Sequence, residues 1–187
     1  MRKIQLSVIV VLLSFVCVFG QKKGYWAESN ASNTLDASKK YSVAVLPVVV
    51  TDAELSADAT LAEQANNTII LKLADIWKFN VINKELMLGA VNTYRFGSGP
   101  VNASNYPDIC KATGARLLVY CELSRNKTII KKKEVTTVIA WIQVFDANAD
   151  FSSVYSSRAR SIKSMTITEE VDGAIGKALE ALVLKMK

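Results

Sequence analysis

Apolar residues recur along this chain with spacings that change from segment to segment, and the changes outline the elements. From Tyr41 to Val50 the run is almost continuous, with Val43, Ala44, Val45, Leu46, Val48, Val49 and Val50 apolar on both faces of a pleat. A stretch so short and so β-branched predicts a central strand buried on two sides, the habit of parallel sheets covered by helices. Pro47 lacks a ladder donor, so regular pairing is expected to end near it before the backbone turns out through Thr51, Asp52 and Ala53. The spacing then becomes three and four. Leu61, Ala65, Ile69, Leu73 and Ile76 mark a helix that runs to about Trp77, with Ser56 or Asp58 as its cap. Phe79 to Ile82 reads as a second strand, so strand, helix and strand form a right-handed crossover with the two strands parallel. Asn83 caps a second helix, Lys84 to about Tyr94, with Leu86, Ala90, Val91 and Tyr94 inward.

The cluster Gly97-Ser98-Gly99-Pro100 ends that helix in a turn. A short helix opens at Ser104 or Asn105 with Pro107 in its first turn, where a missing amide hydrogen costs nothing, and closes at Gly114 in a left-handed cap. Ala115 to Leu123 is a third strand. Arg125 to Glu134 is polar and lysine-rich and reads as an exposed hairpin connection, with strands continuing through Thr128 to Ile130 as the alternative. Val135 to Asp146 is a fourth strand, Ala147 to Ala149 a turn, and Ser153 to Ile162 a fifth strand whose serines and arginines suit a sheet edge. A final helix starts at a capping box of Thr166 and Glu169, and Val171, Ala174, Ile175, Ala178, Leu179, Leu182, Val183 and Met186 form its apolar stripe.

The N-terminal segment belongs to a different class. Arg2 and Lys3 precede an apolar run from Ile4 to Phe19, and Val18-Phe19-Gly20 offers compact residues before Gln21, which is the pattern of a secretory signal peptide over residues 1–20. The rivals are a retained membrane anchor and a lipoprotein signal that uses Cys17, although Phe15 and Val16 stand where small residues are wanted. Residues 21–40, rich in Ser, Asn, Lys and Ala, read as a flexible linker. Residues 41–187 then form one domain, long enough to bury a single core in a sequence that is 50% hydrophobic.

Composition narrows the chemistry. The net charge is +6, and a processed protein that has lost Arg2 and Lys3 would carry +4. The lysines are dispersed except at Lys131, Lys132 and Lys133, so no basic footprint for nucleic acid is expected. That cluster, with Arg158 and Arg160 on the fifth strand, is the candidate partner-binding set. The sequence has no histidine, which removes Ser-His-Asp and Cys-His nucleophiles and the usual zinc sites. No phosphate-cradling glycine loop is present. Asp146-Ala147-Asn148-Ala149-Asp150 opens like a calcium loop, but Phe151 and Ser157 stand where glycine and glutamate are required, so a plain hairpin turn is expected. No catalytic residue, metal or cofactor is expected. Cys110 and Cys121 remain after processing, and a helical turn plus a strand between them should exceed the ~7 Å limit for a disulfide, which predicts two buried thiols.

Four blocks now stand in order: Val43-Ala44-Val45-Leu46-Pro47, Phe79 through Leu86, Thr113 through Tyr120, and Ile142 through Asp146. Together they resemble the curli-assembly CsgG family and its relatives, the lipoprotein activators of penicillin-binding proteins (LpoB-like) and the N-terminal domain of TolB. The resemblance covers about Tyr41 to the C-terminus. It implies an α/β fold: a mixed five-stranded sheet of order 2-1-3-4-5 with helices on both faces, similar to anticodon-binding domains. Cys121 and Glu122 stand where the third block usually carries a glycine. A secretion channel would need hairpin strands of about 9 to 11 residues with an apolar outer face, and the three lysines spoil the one segment that could supply them. The expected role is therefore a secreted, periplasmic or outer-membrane-associated, non-enzymatic domain that takes part in envelope assembly by binding an envelope protein. The alternative is a ring-forming, homo-oligomeric subunit of an outer-membrane export complex, and membrane contact would follow if Cys17 were lipidated.

Overall fold

The computed structural model describes residues 26–30, 35–36, 38–76, 78–94, 101, 103–130, 132–161 and 166–185. The expected signal peptide, Cys17, Trp77, the turn at 97–100 and Lys131 lie outside the described residues. Seven strands form one sheet: β1 (Trp26–Asn30), β2 (Tyr41–Val45), β3 (Val49–Val50), β4 (Phe79–Val81), β5 (Leu117–Ile130), β6 (Lys133–Asp146) and β7 (Ser152–Arg160). The helices are α1 (Ala53–Ser56), α2 (Leu61–Ala74), α3 (Lys84–Tyr94), α4 (Tyr106–Thr113) and α5 (Ile167–Lys185). The sheet order is β1-β7-β6-β5-β2-β4, with β3 beside β5. Within it β4, β2, β5, β6 and β7 reproduce the expected 2-1-3-4-5 order, parallel where β2 meets β4 and β5 and antiparallel from β5 to β7.

Both faces of the central strands are buried, as the two-sided apolar run requires. Tyr41, Val43 and Val45 point into a large core with α2 and α5, while Ala44, Leu46 and Leu118 pack against α3 and α4 on the opposite face. Pro47 interrupts the strand as expected, and pairing with β5 then resumes. Val45 stands opposite Val119 and Val49 opposite Glu122, so four steps from β2 into β3 match three on β5, and one extra residue is accommodated at the break. The expected single strand is thus two short ones.

Four local readings change. Neither Ser56 nor Asp58 caps the long helix. Asp52 caps α1 through Glu54 and Leu55, while Asp58 instead accepts from the Thr60 amide and hydroxyl. In α3, capped by Asn83 as expected, Leu86 is 51% exposed and Met87 takes the inward place with Ala90 and Val91. Spacing from Met87 follows i, i+3, i+4 more closely than spacing from Leu86. The segment read as a flexible linker contributes β1, which pairs antiparallel with β7 from Trp26–Arg160 to Asn30–Ser156. Consequently β7 is not a sheet edge. Finally, Ala147–Ala149 is a 3-10 turn capped by Asp146, and Asp150 and Phe151 follow it at positive φ, where the sequence suggested only a plain turn. Gly114 closes α4 at φ 70°, and Cys110 and Cys121 are buried free thiols, both as expected.

Candidate functional site

Alternation along a strand sends every second residue to the same face. On β5 that sends Leu118, Tyr120, Glu122, Ser124 and Asn126 to the face shared with α3 and α4. The helices cover the Leu118 end: Leu118 lies in their core, and Tyr120 and Phe145 pack against it. Beyond it the face continues across three strands without helical cover among the described residues. Two rows cross it at its centre. Glu122 stands opposite Trp141, and Trp141 opposite Arg158; Ser124 stands opposite Ile139, and Ile139 opposite Arg160. The register places Glu28 and Trp26 of β1 at the far ends of these rows.

Hydrogen bonds and ring contacts fix the centre of this face. Tyr120 and Trp141 meet edge to face with centroids 6.4 Å apart, an arrangement that rings with opposed quadrupoles prefer. The Trp141 indole Nε1 donates to Ser156 Oγ at 3.0 Å, and the Tyr120 hydroxyl donates to Glu122 Oε2 at 3.2 Å. Burial first, and then the Glu122 carboxylate, push the Tyr120 phenol up to about 12, so it stays a donor at physiological pH. Below Trp141, a cavity of ≈ 250 Å³ is lined by Asn126, Ile139, Arg158 and Arg160. Arg158 is exposed. Arg160 is half-buried, with its Nε sealed from solvent and without a hydrogen-bond partner.

The structure thus brings Arg158 and Arg160 together in one pocket and places Lys132 apart from them, at the tip of the β5–β6 hairpin. Beyond Arg125 and Val138 the β5–β6 hairpin has no neighbouring strand among the described residues, and it runs five residues a side, to Ile130 and Lys133. At ~3.3 Å per residue that ribbon reaches about 17 Å from the body. Its turn carries Lys132 at φ 64° and exposed, in the left-handed region that two-residue hairpin turns use. Ile129 is 78% exposed on the ribbon. At its base Arg125 pairs with Glu54 of α1, and Lys127 approaches the same carboxylate at 3.9 Å. The lysine-rich connection is therefore mostly strand. The stretch without lateral neighbours is shorter than the 9 to 11 residues that cross a bilayer.

A second cleft, of ≈ 300 Å³, opens beside Pro47 and Val48, between Asn66 of α2 and Leu88 of α3, with the Lys84–Glu63 ion pair at 2.8 Å on its lining. Among the described residues no group of three or more Cys, Asp or Glu gathers as a metal could require. No helix of the described residues is long and apolar enough to cross a membrane. Trp141 was not singled out from the sequence, because only the register shows that it lies between Tyr120 and Arg158; an isolated tryptophan in an apolar strand reads as core.

No family model matches the sequence, and no curated protein matches it. Solved structures do share its fold. The PelC dodecamer from Paraburkholderia phytofirmans is similar at a TM-score of 0.51 and 11% identity, over 84% of this protein and 96% of that one. The LpoB C-terminal domain from Escherichia coli is similar at a TM-score of 0.52 and 15% identity, over 72% of this protein and 88% of that one. At these identities the likeness is one of fold. It supports the LpoB-like part of the sequence resemblance, while the CsgG and TolB parts rest on the sequence blocks alone.

Proposed function

We propose that the protein is a non-enzymatic, protein-binding domain of the cell envelope, exported to the periplasm, whose contact surface is the uncovered sheet face around Trp141. One observation carries the proposal: Trp141, held edge to face against Tyr120 where the helical cover ends, stands beside Arg158 on the part of the face that no described helix covers, with Arg160 next along β7. Tyr, Trp and Arg dominate the energetic centres of protein interfaces, because each combines a large apolar body with a directed polar group. The fold, like that of an LpoB domain, is the one that the sequence resemblance implies, and that resemblance supports a partner in the envelope. Capture from an envelope extract by immobilised residues 21–187 tests it. The wild-type protein retains a defined partner, and Trp141→Ala, still folded by its thermal midpoint, loses it. Equal capture by both would overturn this placement of the surface.

Export rests on the basic, apolar and compact pattern of residues 1–20, and cleavage after Gly20 leaves a mature protein that begins at Gln21. A lipid-bearing form beginning at Cys17, seen by intact mass, would replace that reading with a membrane-anchored one. The second reading, a ring-forming export subunit, is favoured by the dodecameric state of PelC, whose fold is similar. Native mass separates the two readings: a monomer fits the binding module and a large closed assembly fits the ring.

A further inference from the structure

We propose that the Arg158–Arg160 pocket is a carboxylate-binding subsite, which takes an aspartate or glutamate side group, or a C-terminal carboxylate, from the partner that docks on the Trp141 face. This rests on the protein-binding reading above and names the chemistry its partner must present. Arg158 and Arg160 lie two residues apart on β7, so both guanidinium groups leave the same face of the pleat. No salt bridge of either is shown among the described residues, although Glu28 stands directly opposite Arg158 on β1 and Glu122, which already takes the Tyr120 hydroxyl, lies two strands away on the other side.

Three features make the pocket more than a pair of surface charges. It has volume, ≈ 250 Å³ between the two arginines, Ile139 and Asn126. It has two cations on one face, Arg158 exposed and Arg160 half-buried; Arg160 Nε is closed off from solvent, so the Nη groups are the donors left to meet an incoming carboxylate. It also has an apolar wall, for Ile139 is only 5% exposed, which lowers the local dielectric and strengthens a charge-assisted bond. A guanidinium presents a planar fork of donors that fits the two oxygens of a carboxylate side by side. Elsewhere the fold satisfies arginine in this way: Arg116 grips Asp146 through both oxygens at 3.1 and 2.8 Å.

A peptide titration followed by amide and indole NMR tests the site on residues 21–187, with acetyl-tetraglutamate amide as probe, acetyl-tetraglutamine amide as control, and inorganic phosphate as a competing anion. The expected result is saturable shifts centred on Asn126, Ile139, Trp141, Arg158 and Arg160 with tetraglutamate and none with tetraglutamine. Arg160→Gln should weaken binding by about tenfold or more, and Arg160→Lys, which keeps the charge and loses the fork, should restore only part of it. Shifts that map elsewhere, an undiminished response in Arg160→Gln with an unchanged thermal midpoint, or phosphate binding as tightly as the peptide would each overturn the carboxylate assignment. The two proposals fail separately. A protein that binds tetraglutamate but captures nothing from the envelope keeps the subsite and loses the partner reading. One that captures a partner equally well in Arg160→Gln, and ignores tetraglutamate, keeps the partner reading and loses the subsite.

Discussion

Replacing Asp146 by Asn tests whether the end of the sheet is held by one ion pair. Asp146 is 5% exposed where β6 leaves the sheet, and its carboxylate accepts from Arg116 Nε and Nη2 and from the Asn148 amide at 2.9 Å. Arg116 in turn lies over the Tyr41 ring at 4.9 Å, and its amide donates to the Ser42 carbonyl of β2, so the pair ties β2, β5 and β6 together. Burial would raise the Asp146 carboxyl, but the Arg116 guanidinium and the Asn148 amide outweigh it and hold the group below its ordinary value. Breaking a fully buried pair costs about 3 to 5 kcal/mol. The Arg116 side group is 32% exposed and regains some water, so Asp146→Asn should cost about 2 to 3 kcal/mol. For a protein of this size that is a fall in thermal midpoint of roughly 4 to 12 °C. The sign of the pH dependence follows from the lowered value. The stabilisation is fully present above the unfolded aspartate range near ~3.9 and is lost as pH falls through the folded value. The gap between wild type and Asp146→Asn, read by thermal melts, should hold from pH 7 to about 5, begin to narrow near about pH 4 and go on closing as pH falls through the folded value. A gap that persists unchanged at pH 3, or a shift under about 1 °C at pH 7, would refute the reasoning.

Three other predictions use different parts of the molecule. Leu179 and Leu182 of α5 are each 2% exposed in the main core, so either Leu→Ala change should cost about 2 to 5 kcal/mol in urea unfolding; unchanged stability would show that the helix does not hold the sheet. Replacing residues 128–135 by a two-residue Asn-Gly turn removes ribbon without touching the Arg125–Glu54 pair and should shift stability by about 1 kcal/mol or less, read by the same unfolding midpoint. Burial pushes the Cys110 thiol up to about 11 and Cys121 higher still, so neither should react with a thiol reagent in the native state at pH 7, and both should react in denaturant.

The elements that the sequence showed best are those whose burial repeats along their own length. The two-sided run of β2, the 3.6 stripe of α5 and the Gly114 cap each needed only their own neighbours to be read. Where a neighbouring strand decides, the sequence was poor. Trp26-Ala27-Glu28-Ser29-Asn30 has no apolar alternation, so it looked like a tether, and its strand state comes from the β7 backbone groups that it pairs with. The Lys and Asn content of 125–134 suggested a loop, yet Thr128, Ile129, Ile130, Val135, Thr136 and Thr137 favour a pleat, and the ribbon persists on that local preference. The set Leu86, Ala90, Val91 and Tyr94 differs from the observed inward set by one residue of helical phase at its start, and that was enough to expose Leu86 and bury Met87. Of the proposed site, the two arginines were visible as a pair on one strand. Their pocket was not, because Asn126 and Ile139 reach it only through a register that no local pattern encodes.

We assign the two functional readings to different surfaces, on physical grounds. The Trp141 face is rigid: it is backed by Val138, Ala140, Ile142 and Val144 in the main core, and its side groups are held by hydrogen bonds to Ser156 and within the Tyr120–Glu122 pair. Such a face suits a partner of fixed shape. The ribbon is the opposite case, two strands without lateral neighbours among the described residues, whose backbone edges can add a strand from another molecule. Lateral assembly of identical subunits would draw on those edges, while the pocket beneath Trp141 would stay open to a second protein. Shortening the ribbon should therefore abolish any large native assembly and leave capture by the Trp141 face intact, whereas Trp141→Ala should do the reverse. Loss of both activities in either variant would mean that the ring and the binding face are one surface, with the partner recognised only by the assembled form.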